Sequence, residues 1–144
     1  MEQEVLINIA SIQTQEDESE DVELFTTGLL SPTEDGWRIS YEESEATGFE
    51  GCRTLVDVTD DLRRVTMTRV GPASSQLIIE RGVRHQCTYD TGYGSLIIGV
   101  LGDRILSSLT GEGGVLEFSY SLDVNASLAS ENTVTISVSL PKEA

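Results

Sequence analysis

The sequence predicts an all-β protein, a single antiparallel meander closed into a barrel of about eight to ten strands. Three observations carry that expectation. Apolar residues recur with period two in nearly every segment, and no run of ten or more residues holds a helical period. Turn-forming residues interrupt these runs at short, regular intervals. The connections are too short for the helical crossovers that a parallel sheet needs, so sequential strands should pair antiparallel. About ten strands in one domain must stack as a sandwich or close on themselves, and closure leaves no edge exposed.

The elements follow in order. Val5, Ile7 and Ile9 alternate in the first strand, and Val22 and Leu24 in the second. The run Glu16 to Asp21 between them reads as a solvated connection, because it lacks the alternating oxygens and central Gly of a calcium loop. Trp37, Ile39 and Tyr41 carry the third strand, and Cys52, Thr54, Val56 and Val58 the fourth. Val65, Met67 and Arg69 share a face in the fifth, and Leu77-Ile78-Ile79 follows. Arg84 to Asp90 and the run from Ser95 form a hairpin around Thr91-Gly92-Tyr93-Gly94. Ile105 to Leu109 is the one stretch that could form a helical turn. Leu116, Phe118, Tyr120 and Leu122 alternate next. In the last strand Val134, Ile136, Val138 and Leu140 interleave with Thr and Ser, which should place the aliphatic set inside.

Composition bounds the function. The 144 residues suit one domain, 1–144, able to bury roughly 70% of its unfolded surface without a metal or disulfide. Nine Lys and Arg against 25 Asp and Glu leave a net charge of −16. Such a surface repels phosphate backbones and anionic lipid, which argues against nucleic-acid and membrane partners. Cys52 and Cys87 are too few for a disulfide framework and are expected as free, packed thiols. The start Met1-Glu2-Gln3-Glu4 lacks a basic targeting segment, so a cytoplasmic location is expected. The sequence leaves the oligomeric state open.

The candidate chemistry is sparse. His85 is the only imidazole, and it shares a strand face with Cys87 and Tyr89. Neighbours two apart on a strand stand roughly 6.5 to 7 Å apart, which is loose for a nucleophile and its base. His85, Cys87 and Cys52 have no recognised zinc spacing, so no metal is expected, and no motif calls for a cofactor. Arg69 faces inward and needs an acid such as Glu43 or Glu80, a carboxylate ligand, or an exit to solvent at its strand end beside Gly71-Pro72, the position favouring the exit over an internal pair. Trp37, Tyr41, Tyr89, Phe118 and Tyr120 could line a ligand cavity or fill the barrel themselves. Residues 85–93, with Tyr93 at the turn, would then form one lip of the opening. A small, partly apolar ligand is the expected partner, contacted by Trp37, Tyr41, Glu43, Arg69, His85, Tyr89, Tyr93 and Phe118. The alternatives are a small enzyme working through His85 and a solid barrel whose partners dock outside.

A family pattern runs through the same residues. Tyr41-Glu42-Glu43, Gly48, Gly51, Arg69-Val70-Gly71, Glu80-Arg81-Gly82, Tyr89-Asp90-Thr91-Gly92-Tyr93-Gly94, Gly113-Gly114 with Leu116 and Tyr120, and Asn132 occur in that order. Together they resemble the YwiB-like family of small bacterial proteins of unknown function. Gly92 stands where that pattern has Pro, and both residues suit a turn. The resemblance implies a calycin-like, lipocalin-related antiparallel barrel and implies no reaction.

Overall fold

A computed structural model describes residues 2–44, 50–72, 74–90, 94–124 and 127–141. Ten strands follow one another: β1 (Gln3–Gln15), β2 (Glu18–Pro32), β3 (Gly36–Glu42), β4 (Arg53–Thr59), β5 (Arg64–Val70), β6 (Ser75–Glu80), β7 (Arg84–Asp90), β8 (Ser95–Ser107), β9 (Gly113–Val124) and β10 (Ser127–Ser139). Each pairs antiparallel with its neighbours in sequence, and β1 also pairs with β10, closing the ring. Among the described residues no helix is long and apolar enough to cross a membrane.

The period-two pattern fixes which face is inside. Val134, Ile136 and Val138 are buried, while Thr133, Thr135 and Ser137 keep partial exposure. Each of the inward residues meets others from adjacent strands, as Ile9 and Leu116 do on either side of Ile136. The middle of the lumen is filled. Ile39, Val65, Ile79, Val100, Leu116 and Phe118 have no accessible surface, so not even a water-sized void touches them. Phe118 stacks on Tyr120, two residues along the same face, with ring centroids 6.1 Å apart.

Two expectations change. Glu16 to Asp21 is no loose connection. Gln15 pairs with Glu18, so the chain reverses within two residues, and Glu16 adopts a left-handed φ of 53°. Extended pairing with β1 there outweighs the mutual repulsion of exposed acids. Ile105 to Ser107 are also extended, because β8 continues through them as the partner of Leu116 to Phe118.

The ring is weakest between β6 and β7. Among the described residues only Ser75 and Tyr89 are in register there. The amide of Ile78 donates to the Cys87 sulfur at 3.5 Å, where a regular ladder would offer a carbonyl. Beyond this gap the β6–β7 turn folds onto β8, with Gly82 N donating to the Gly102 carbonyl. A Cβ on Gly102 would lie 2.4 Å from the Glu80 carbonyl oxygen, so this close approach demands glycine.

Candidate functional site

An antiparallel meander sends alternate turns to opposite ends. The β1–β2, β3–β4, β5–β6, β7–β8 and β9–β10 turns share one end, called here the upper end, and the remaining turns share the lower end. Strand register then aligns polar side chains near the upper end. Tyr41 faces Thr54, Thr54 faces Arg69, Arg69 faces Ser75, and Ser75 faces the backbone of Tyr89. One lateral row thus crosses five strands. The next inward positions, Ile39, Val56, Met67, Leu77 and Cys87, are all apolar.

The row is hydrogen-bonded. Thr54 Oγ1 donates to Glu43 Oε1 at 2.7 Å, and the Glu43 amide donates to the Cys52 carbonyl. Arg69 Nη1 donates to Ser75 Oγ at 3.4 Å. Burial, and then the neighbouring Glu43 carboxylate, push the Tyr41 hydroxyl well above the usual phenol range. The hydrogen bond with Thr54 and the Arg69 charge oppose that rise without cancelling it. Tyr41 therefore remains a protonated donor at any physiological pH.

Toward the upper end the inward side chains are less completely buried. Ile9, Leu24, Met67, Leu122 and Val124 point inward yet are only partly buried against the core. Their phase follows from partners that are fully inside: Met67 faces Val56, Leu122 faces Val100, and Ile9 faces Ile136. The upper end thus combines inward apolar side chains that keep some accessible surface with a polar row on the β3–β6 side, and this end is called the cup below.

A second polar cluster closes the lower end. Glu80 ends β6 with its side chain 8% exposed and gathers three donors on two oxygens. Arg63 Nε lies 3.0 Å from Oε2, Arg64 Nη2 3.1 Å from Oε1, and His85 Nε2 3.0 Å from Oε1. The hydrogen bonds from His85 and the two arginines hold the carboxyl down at about 2. An ionised carboxylate only accepts, so His85 donates from Nε2. Glu80 and His85 come from opposite sides of the poorly paired β6–β7 gap, so the cluster bridges it with charge-assisted bonds where backbone bonds are missing.

The expected contact residues therefore divide. Tyr41, Glu43 and Arg69 come together at the upper end, and the Tyr89 backbone joins their row. His85 does not share that opening. It stands four residues from Tyr89 along β7, about 13 Å, with Glu80 at the lower end. Residues 85–90 therefore run along the barrel wall instead of forming one lip, and residues 91–93 lie outside the described residues. Glu80 is no partner for Arg69 either, being five residues beyond Ser75 on β6, about 16 Å away. Trp37 is partly buried at the lower end near Gly111, and Phe118 lies in the filled middle. Tyr93 lies outside the described residues. Sequence reasoning missed Ser75, Leu122 and Val124 as wall residues, because alternation gives a strand's phase and not its height in the barrel. It also missed Arg63 and Arg64 as partners of Glu80. Cys52 and Cys87 are buried and unpaired with each other. Among the described residues no group of three His, Cys, Asp or Glu side chains is placed to hold a metal ion.

Residues 7–136 match the model of a domain of unknown function, DUF1934. The chain belongs to this family. The crystal structure of the ywiB protein from Bacillus subtilis is similar, with a TM-score of 0.80 and 21% identity over 94% of this chain and 92% of that one. At that identity the likeness establishes the barrel alone. No curated protein matches the chain. The DUF1934 family carries no assigned activity, so the geometry of the cup and the Glu80 cluster must carry any functional reading.

Proposed function

We propose that this DUF1934 protein is a non-enzymatic binding barrel that takes a small, partly apolar molecule into the cup at its upper end. One observation carries the reading. Ile9, Leu24, Met67, Leu122 and Val124 face inward and keep accessible surface, while Val65, Ile79 and Phe118, set lower on β5, β6 and β9, keep none. Apolar walls with a few convergent polar groups suit an amphipathic ligand. Its apolar part would rest on Met67 and Leu122, and its polar head would meet Tyr41, Thr54 and Ser75. The calycin-like character of the barrel supports this by analogy alone, since closed antiparallel barrels of this size have room for one small ligand. Two buried cysteines that are not joined in a disulfide are consistent with a reducing, cytoplasmic setting.

The fluorescent probe 8-anilinonaphthalene-1-sulfonate, which joins an apolar body to an anionic head, tests the reading by titration. Saturable binding with one probe per chain is expected. Leu122→Trp, which fills the cup, should weaken it about tenfold, equivalent to 1.4 kcal/mol. Arg69→Met and Tyr41→Phe should weaken it less. Binding that never saturates, or that ignores Leu122→Trp in a chain that still melts normally, overturns the proposal.

A further inference from the structure

The outer surface of β2, β1, β10 and β9 departs from the rest of this acidic chain. Strand register places its outward residues in lateral rows. Thr27, Leu6, Ser139 and Gly113 make the first row, and Phe25, Asn8, Ser137 and Val115 the second. Ala10 and Thr135 continue in the next row, which ends on β2 at Glu23, followed by Ile12, Thr133 and Ser119, whose row ends on β2 at Asp21. Apart from Glu23 and Asp21 at the β2 margin, none of these residues is charged, although 25 of the 144 residues are acidic. Glu117 sits within the block, but it is neutralised by Arg104 at 2.8 Å. Four members are large, apolar and exposed: Phe25 at 71%, with Ile12, Leu6 and Val115 above 40%. Beside them a shallow groove of about 850 Å³ crosses β1, β10, β9 and β8, bordered by Ile12, Leu101 and Thr133 and, at its charged side, by Asp103, Arg104 and Glu131.

We infer that this face is the contact between two copies of the chain. Depletion of charge, with aromatic and aliphatic side chains left exposed, is the compositional mark of an interface core. The occupant follows from the charge balance. Two copies each carrying −16 repel one another over most of their surfaces. They can approach only where both are uncharged, and this face meets that condition against itself. A basic partner would instead be drawn to the acidic remainder of the surface. The size also fits. Four strands at about 4.8 Å spacing and eight residues at about 3.3 Å give a plate of roughly 19 by 26 Å in projection. With side-chain relief that approaches the ~800 Å² each partner contributes to a standard interface. The small Ser, Thr and Ala side chains let two sheet faces stack closely, with Phe25 and Leu6 as the apolar anchors.

Sedimentation equilibrium of the full chain from low to high micromolar concentration tests the inference. Wild type should approach twice the 15.7 kDa chain mass as concentration rises, and association should tighten with added salt as the two −16 charges are screened. Ser137→Glu and Phe25→Glu each place a charge in the face and should return the protein to 15.7 kDa. Thermal melts confirm that the variants remain folded. A wild-type chain that stays monomeric throughout overturns the inference, as does a dimer that survives both substitutions. The cup is untouched by either variant, so probe binding there stands or falls separately.

Discussion

At the scale of single residues, Glu80 shows how a carboxylate can be kept ionised inside a protein wall. Its own burial would favour the neutral acid, but His85, Arg63 and Arg64 supply donors that favour the anion more strongly. A carboxyl held at about 2, below its ordinary 4.5, binds protons less readily folded than unfolded. Its contribution is therefore complete above pH 4.5 and is lost as pH falls from there toward 2. Glu80→Gln removes that dependence. Urea unfolding at a series of pH values should show the wild type losing stability relative to Glu80→Gln across this window, with the gap widest at neutral pH. Parallel curves for the two proteins would mean that the cluster contributes nothing through ionisation. Arg69 shows the opposite limit of sequence reading. Its inward phase was legible from Val65 and Met67, but its neighbours were not, because Ser75 and Tyr41 reach it through register between strands.

At the scale of elements, β10 displays the rule that organises the whole chain. Its aliphatic residues meet Ile7, Ile9, Leu116 and Phe118 across two ladders, while its Ser and Thr residues face outward. Ile136→Ala should cost about 2 to 5 kcal/mol, the range for truncating a large buried aliphatic side chain. Ser137→Ala, one residue away, should stay within about 0.5 kcal/mol. Equal costs in chemical denaturation would reverse the assigned register. Such strands were readable because burial on one face writes itself into the sequence as alternation. Glu18 to Asp21 was not readable, since an exposed hairpin arm has no buried face to mark it and its acids resemble those of a loop. Ile105 to Leu109 misled for a related reason: β8 shifts register between Gly102 and Arg104, and that bulge breaks the alternation. The gap between β6 and β7 left no trace in the pattern either. Leu77, Ile79 and Cys87 alternate as regular strands do, although their backbones are not in register.

For the whole molecule, charge and closure act in opposite directions. A net −16 on 144 residues makes the compact state repel itself, so salt should raise the melting temperature by screening. Ser137→Glu, expected to be monomeric, is the protein in which to measure this by calorimetry, because dimer formation cannot then contribute. A melting temperature that falls with sodium chloride would show that the arginine pairs at Glu80, Asp57 and Asp123 outweigh the repulsion. The closed meander had a clear sequence signature in its short turns, whereas the half-filled, half-open lumen depends on the height at which each inward residue sits. Closure has one further result. A band of ten strands has no ends, so the place where it is least firmly fastened decides what any unrolled form would expose. That fastening is the single registered pair between β6 and β7, reinforced by a sulfur-accepted amide and the Glu80 cluster. Unrolled there, the ribbon would be bordered by Arg84, His85 and Glu80, and charged borders discourage one sheet from joining another. The clasp that completes the ring therefore also guards the molecule against polymerising when it comes undone.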